Sequence, residues 1–319
     1  MKQVYTFGTY LKEKFGTRVY KAPVSILGFT CPNIDGNVAK GGCTFCENDS
    51  FSPSLDSVKP LKGFFLNMDS KENPHLEKQL LQLEKQFELI SEKQKREYGA
   101  EKFLVYFQSF TNTYAPFETL KALYDKALSF DNVVGLSIGT RSDSVSEEVL
   151  EYLQELSREK EIWIEFGIQS VYDETLERIN RGHDSANVKE WILKSKAYGL
   201  NVCGHFIFGL PGEDREMMMQ TAREAYSWGI DSVKYHPLYV VKRTALANEF
   251  VRGEFTPISE EEYLDVLVEA LQLKPADIHV QRVTAGIDDD SLIAPLWCRN
   301  RNEQVRNINK ALKRVGLKY

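Results

Sequence analysis

The sequence predicts an α/β protein built on parallel strands, arranged as a complete or partial (β/α) barrel or as an open doubly wound sheet. Three observations carry this. Short β-rich segments recur at residues 24–29, 103–108, 133–140, 162–169, 202–209 and 232–239. Helical stretches separate them, and a strand–helix–strand unit repeated in this way makes parallel strands with right-handed crossovers. The chain has 319 residues, 42% hydrophobic and 27% charged, which is enough apolar material for a large core.

Taken in order, the first strand leads into a loop rich in cysteine and glycine. Residues 75–97 carry Leu76, Leu80, Leu83, Phe87 and Ile90 at four–three spacing, which makes one apolar helix face. Helices over 116–129, 146–159, 173–179, 187–198 and 213–228 complete the alternation. Ser146, followed by Glu148 and Val149, reads as a capped helix start. After Lys242 the pattern changes to a helix at 256–273, a short strand at 278–283, an apolar run at 294–298 and a basic tail. The chain therefore divides into 1–242, the strand–helix series with its N-terminal segment and cysteine loop, and 243–319, a helical extension. Residues 47–74 have no clear periodicity and form a candidate lid.

No stretch is long and apolar enough to span a bilayer, so no membrane association is expected. The first fourteen residues lack a secretory pattern, and the cytoplasm is the expected location. The net charge of −6 excludes a molecule that is basic all over. The tail is different: Arg299, Arg301, Arg306, Lys310, Lys313, Arg314 and Lys318 face only Glu303 as a counter-charge. Such a patch either meets a polyanion or forms the solvated face of a terminal helix.

Five cysteines are too few for a disulfide scaffold, and in a reducing compartment a cluster of them points to metal or redox chemistry. Cys31, Cys43 and Cys46 have the spacing C-x11-C-x2-C, in a loop where Gly36, Gly41 and Gly42 let the backbone wrap a bulky object. A structural zinc site wants four ligands, and this loop supplies three. A [4Fe–4S] cubane held by three cysteines keeps one iron open, where the amino and carboxylate groups of S-adenosylmethionine can bind. An electron from the cluster then cleaves the sulfonium to give a 5′-deoxyadenosyl radical that abstracts hydrogen from carbon. A zinc site completed from elsewhere, or three reduced buried thiols, is the alternative.

Polar residues at the strand ends fit a ligand there. In 162–169, alternation puts Ile162, Ile164, Phe166 and Ile168 on one face and Trp163, Glu165, Gly167 and Gln169 on the other. An inward carboxylate at Glu165 needs a partner: an internal arginine, or the ammonium or ribose of a cofactor. In 133–140, Val134, Leu136 and Ile138 alternate with Gly135, Ser137 and Gly139, which puts Arg141 and Asp143 at the strand's end. Arg141 meets either a methionyl carboxylate or Glu165. The run GHFIFGLPG, with Gly204, Gly209 and Gly212, either admits a flat ligand or makes a tight turn. The run QSFTNTY, with Thr111 and Thr113, holds a cofactor's amino group or is an ordinary polar loop. His205, His236 and Lys234 read as satisfied core residues and Cys203 as a small buried hydrophobe. Cys298, beside Trp297, is the better candidate hydrogen-atom donor.

The segments CPNIDGNVAKGGCTFC, YFQSFTNTYAP, SIGTRSDS, IEFGIQS, INRGHD, HFIFGLPGE and APLWCRN together resemble the radical S-adenosylmethionine superfamily. They especially resemble the branch that contains the Elongator catalytic subunit and the bacterial YhcC/YtqA (MnmL-like) proteins. The resemblance runs from about Thr6 to Ile308. It implies a partial (β/α)6 TIM-like barrel, a [4Fe–4S] cluster on Cys31, Cys43 and Cys46, and S-adenosylmethionine near Phe45, Thr111, Thr113, Arg141, Asp143, Glu165, Gln169 and Gly209. Glu165 and Cys298 are the candidate catalytic residues. No acetyltransferase domain is expected in these 319 residues, so acetyl-CoA chemistry is not among the expectations. The branch implies wobble-uridine modification of tRNA, from carboxymethylaminomethyl to aminomethyl, with the basic tail on the RNA. An external reductase, flavodoxin or ferredoxin would supply electrons. A radical enzyme acting on a small molecule, and a non-enzymatic zinc or nucleic-acid-binding protein, are the alternatives.

Overall fold

The structure, a computed structural model, describes residues 1–47 and 64–319. Residues 48–63, most of the candidate lid, lie outside the described residues. Seven parallel strands form one sheet in sequential order: β1 (Val19–Val24), β2 (Lys102–Phe107), β3 (Val133–Thr140), β4 (Glu161–Gln169), β5 (Asn201–Phe208), β6 (Ser232–Pro237) and β7 (His279–Arg282). The helices are α1 (Phe7–Phe15), α2 (Leu76–Tyr98), α3 (Phe117–Leu128), α4 (Glu147–Ser157), α5 (Asp173–Arg178), α6 (Ser185–Ala197), α7 (Arg215–Ser227), α8 (Ala245–Val251), α9 (Glu260–Leu273) and α10 (Arg301–Arg314), with a single helical turn at Pro32–Asp35.

The sheet curls into a partial barrel. Its first and last strands come close enough for Lys21 Nζ on β1 to donate to Gln281 Oε1 on β7 at 2.6 Å. β7 comes from beyond residue 242, so the barrel has one strand more than the series before that residue provides. The sheet's outer face meets the helices in a core that includes Leu136, Ile138, Ile162, Ile164, Phe166 and Val202. Ser146, as expected, caps α4 by accepting from Val149 N at 3.2 Å. α9 starts at Glu260 rather than at 256, because Pro257 lies ahead of it and Ser259 is its cap, accepting from Glu262 N.

The lower end of the barrel is closed from inside. Phe7 and Leu11 of α1 pack with Leu104, Trp163 and Cys203. Glu161, buried beside them, accepts from Trp163 Nε1 and Tyr10 Oη at 2.8 Å each and from Lys14 Nζ at 2.5 Å. Val134 joins this plug instead of the outer core, because the β2–β3 register shifts at Phe103/Leu104 and reverses the alternation below that point. A purely alternating pattern cannot reveal such a shift.

The first strand differs most from expectation. It spans Val19–Val24, not 24–29, and the ladder to β2 ends at Val24↔Phe107. Glutamines of α2 then take over as partners. Gln86 accepts from Ser25 N at 2.9 Å and donates to Ser25 O at 2.7 Å; Gln82 accepts from Leu27 N, and Gln79 donates to Leu27 O. An amide side chain carries one acceptor and one donor group, as a peptide does, so it pairs with backbone as a strand would. The apolar spacing of α2 conceals this buried row: Gln79 and Gln86 are buried together with Leu83, Phe87 and Ile90.

Replacing Gln86 with Leu should therefore destabilise the chain although it adds apolar area. Each buried backbone group left unpaired costs about 1–3 kcal/mol. Urea unfolding of Q86L should show that loss, while L81A, at an exposed site on the same helix, should stay within about 0.5 kcal/mol of wild type.

Candidate active site

A cavity of about 350 Å³ opens at the carboxyl ends of the strands. Its wall includes Cys31, Cys43, Cys46, Phe45, Thr111, Arg141, Glu165 and Gln169, which come from widely separated parts of the sequence. Local turns set the cysteine loop. Cys31 precedes the helical turn Pro32–Asp35, and Gly36 ends it with φ 95°. Cys46 N donates to Cys43 O at 2.9 Å, which turns the chain between the last two thiols. Asn33 Nδ2 donates to the carbonyls of Asn180 and Arg181 at 2.6 and 2.8 Å and reaches Cys43 Sγ at 3.7 Å. Arg181 Nη1 lies 3.9 Å from the same sulfur.

The donor set suits a large inorganic group better than a single ion. Burial, reinforced by Cys43 and Cys31 nearby, pushes the Cys46 thiol pKa up. In a tetrahedral zinc site with Zn–S of about 2.3 Å, sulfurs are about 3.8 Å apart. Among the described residues, the trio of ligating atoms mutually within 4.8 Å is Glu165, Cys203 and His205; the three loop sulfurs do not all lie within that limit of one another. That other trio is already satisfied, because two lysines occupy the Glu165 carboxylate. Around the loop, several buried polar atoms lack partners: Arg141 Nη1, Gln169 Oε1, Thr30 Oγ1 and Arg181 Nε. These are groups that a polar ligand would satisfy.

Glu165 forms the cavity's inner wall and is fully buried. Oε1 accepts from Lys21 Nζ and Ser137 Oγ, and Oε2 accepts from Lys234 Nζ and pairs with His205 Nε2 at 2.8 Å. Its partners are thus two lysines and a histidine, not an arginine. Burial alone would raise its pKa, but Lys21, Lys234 and the His205 hydrogen bond outweigh that and hold the carboxyl well below its usual range. Lys234 Nζ also donates to Tyr106 Oη at 3.0 Å, and both lysines lie within 4.5 Å of the Tyr106 ring centroid. Burial and Lys234 push His205 down to about 4, so the ring is neutral at neutral pH.

Arg141 pairs with Asp143, not with Glu165: Nε donates to Oδ1 at 2.8 Å and Nη2 to Oδ2 at 2.5 Å. Nη2 also donates to Arg181 O at 2.8 Å, which leaves Nη1 free. Asp143 thus stands behind Arg141 rather than on the wall. Two wall residues without glycine's freedom sit at left-handed φ, Phe110 at 62° and Gln169 at 67°, an arrangement common at ligand sites. At Gly167 a Cβ would fall 2.7 Å from Gln169 Nε2 and 2.8 Å from Arg181 Nη2, so a side chain there would displace the ends of both.

Three further residues singled out in the sequence lie elsewhere. Thr113 is buried against Thr140 Oγ1 and Ser144 O. Gly209, at φ 90°, lines a separate cavity with Glu213 and Ile258. Cys298 is fully buried with Tyr239, Ala285 and Trp297, one layer behind the wall that Tyr239 and Ala285 form. Asn33, Arg181, Lys21 and Arg282 carry no role that the sequence alone assigns. The first two fall within the runs CPN and INRGHD, which mark them without saying what they do.

The Radical SAM superfamily profile matches residues 34–225, and the Radical_SAM C-terminal domain matches 230–314. YtqA of Bacillus subtilis is 34% identical over 315 residues, 99% of this chain and 91% of the relative. A tRNA uridine(34) acetyltransferase of Methanocaldococcus infernus is 30% identical over 188 residues, 58% of this chain and 34% of that protein. The solved structure of the archaeal Methanocaldococcus infernus Elp3 with an N-terminal deletion superposes with TM-score 0.58 at 21% identity, covering 94% of this chain and 65% of that one. At this identity the likeness concerns the fold.

Two stability measurements test the wall. E165Q removes the counter-charge of two buried lysines and should cost the protein about 3–5 kcal/mol in urea unfolding, with or without cofactor. His205 has the opposite pH signature to a buried carboxylic acid held neutral. Its folded pKa lies below the unfolded value of 6.5, so the unfolded state alone takes up the proton, and stability is lost as pH falls from 6.5 towards about 4. H205Q should flatten that limb by up to about 1.4 kcal/mol per pH unit, measured by denaturant unfolding across the range.

Proposed function

The chain belongs to the radical SAM superfamily, and on that premise we propose that this radical SAM enzyme modifies the wobble uridine of tRNA, converting a carboxymethylaminomethyl group to an aminomethyl group. The observation that carries the chemistry is the convergence of Cys31, Cys43 and Cys46 on one cavity with unpartnered polar atoms beside them. In this reading the three cysteines hold a [4Fe–4S] cluster, and Phe45, Thr111, Arg141 and Gln169 line the place of S-adenosylmethionine. When bound and reduced by an external reductase, flavodoxin or ferredoxin, these groups supply a 5′-deoxyadenosyl radical.

The chain's own residues do the positioning. Arg141, with its other edge fixed by Asp143, offers Nη1 to a carboxylate. Asn33 and Arg181 direct N–H groups at Cys43 Sγ, which lowers the charge density on that ligand. Phe110 and Ile207 add apolar surface to the wall. Glu165, its lone pairs engaged from four strands, keeps the inner wall in place.

Support for RNA comes from α10. Gln304, Ile308 and Leu312 are buried at intervals of four, so one face of the helix is anchored. Arg299, Arg301, Arg306, Lys310, Lys313, Arg314 and Lys318 are all exposed. Their solvated ends are free to meet phosphates. The similarity to a tRNA uridine(34) acetyltransferase agrees with such a substrate.

Anaerobic reconstitution should give about four irons and four sulfides per chain, and alanine at Cys31, Cys43 or Cys46 should abolish the cluster absorbance. A colourless protein holding one zinc would refute the assignment. Charge reversal at Arg306, Lys310 and Lys313 should weaken tRNA binding and make the slope of log K against log salt shallower by about 0.9 for each phosphate no longer neutralised. An unchanged slope would remove α10 from the RNA interface.

A further inference from the structure

Where β5, β6 and β7 meet it, the cavity wall carries positive charge in excess. Arg141 and Arg181 serve the cysteine side: Arg141 feels Cys31 and Cys43, and Arg181 lies against Cys43 Sγ. Arg282, at the carboxyl end of β7, instead acts on Tyr106, His205, His236 and Tyr239.

It reaches the wall through an irregularity. Between Val233↔Val280 and Lys234↔Arg282 the β6–β7 register slips by one residue. Adjacent strand residues normally point to opposite faces. Here Gln281 turns toward the barrel interior, accepting from Lys21 and donating to Ser232 Oγ at 2.7 Å, while its neighbour Arg282 lines the cavity. Bulges that re-aim a side chain in this way are over-represented beside active sites.

The charge balance leaves Arg282 over. Lys21, Lys234 and Arg282 face a single carboxylate, Glu165, which the two lysines already share. Burial lowers the Lys21 pKa, yet even a neutral Lys21 leaves Lys234 to neutralise Glu165 and Arg282 unbalanced. His205 and His236 are held neutral and add no charge. Among the described residues the Arg282 guanidinium has no ion pair and no hydrogen bond. Beside it His236 Nε2, on the same wall, is buried with no partner.

We propose that Arg282, flanked by His236, is a substrate-anchoring site for one oxyanion, a carboxylate on the reacting side arm or a backbone phosphate. Five donors in a planar fork match either group bidentately. The site is separate from the Arg141 site beside the cysteines, so substrate and cofactor carry their anions on different arginines. The proposal rests on the tRNA reading for the identity of the molecule, and on the charge count alone for its anionic character.

The reconstituted full chain and its R282Q and R282K variants are compared on RNA stem-loops. These differ only in one loop uridine, which bears a carboxymethylaminomethyl group or its uncharged carboxamide. The expected result is that wild type binds the acid about tenfold more tightly than the amide, that R282Q binds both alike, and that R282K restores part of the difference. If R282Q weakens both RNAs equally and makes the salt slope shallower by about 0.9, the anchor stands with phosphate as its source. If wild type and R282Q bind both RNAs identically, the anchor is overturned. If neither RNA binds wild type, the RNA reading fails on its own. Thermal unfolding with inorganic phosphate or acetate against chloride at equal ionic strength then decides the anchor. Stabilisation lost in R282Q upholds it, and equal curves for wild type and R282Q overturn it. Near-ultraviolet circular dichroism of R282Q matching wild type excludes misfolding as the cause.

Discussion

The barrel depends on one buried carboxylate. A charge with no water around it is tolerable only when opposite charges and donors reach all its lone pairs. Glu165 on β4 draws these from β1, β3, β5 and β6, through Lys21, Ser137, His205 and Lys234. Strands that would otherwise diverge with the twist of an open sheet are thus tied to a common point. The outer helices supply the apolar area, but non-directional burial does not set curvature. The polar layer also divides the interior, with the apolar plug of α1 and Trp163 below it and the open cavity above.

This division explains how far the amino-acid order reveals the site. The cysteine loop is legible because its information is local: three residues within sixteen positions and the glycines among them. Alternation in β4 correctly turns Glu165 inward. Its partners are not legible, since Lys21 lies 144 residues away and Lys234 lies 69, and only the closed sheet joins them. For Arg141 two options stay open in the pattern, and the carboxylate two residues on takes its charge. The position of the first strand is hidden because a glutamine side chain pairs with backbone as well as a strand does, and polar residues on a helix read as its solvent face. Arg282 is invisible because a register slip leaves no trace in a hydrophobic pattern.

The cavity wall has two chemically distinct parts. At one, thiols, backbone turns and the partly satisfied Arg141 and Arg181 surround the cysteine loop. At the other, neutral histidines, tyrosines and a surplus guanidinium stand over the Glu165 layer. Because that layer is neutralised internally, it lies beneath both parts without competing for either ligand. α10 contributes to neither part, and its basic face is presented from a helix anchored on α9 through Asn307 and Glu260 at 2.8 Å.

A barrel that stops at seven strands has two raw margins, and each is a row of backbone groups able to recruit a strand from another molecule. Neither margin is left bare. The glutamine row of α2 occupies the β1 side, and on the β7 side Tyr5 O accepts from Val280 N at 2.9 Å, with Thr6 bridged to Val280. The incomplete barrel is therefore guarded against edge-to-edge aggregation without being closed. A complete ring would gain the same protection only by fixing its circumference. Here a seam joined by side chains keeps the mouth wide enough for a bulky guest.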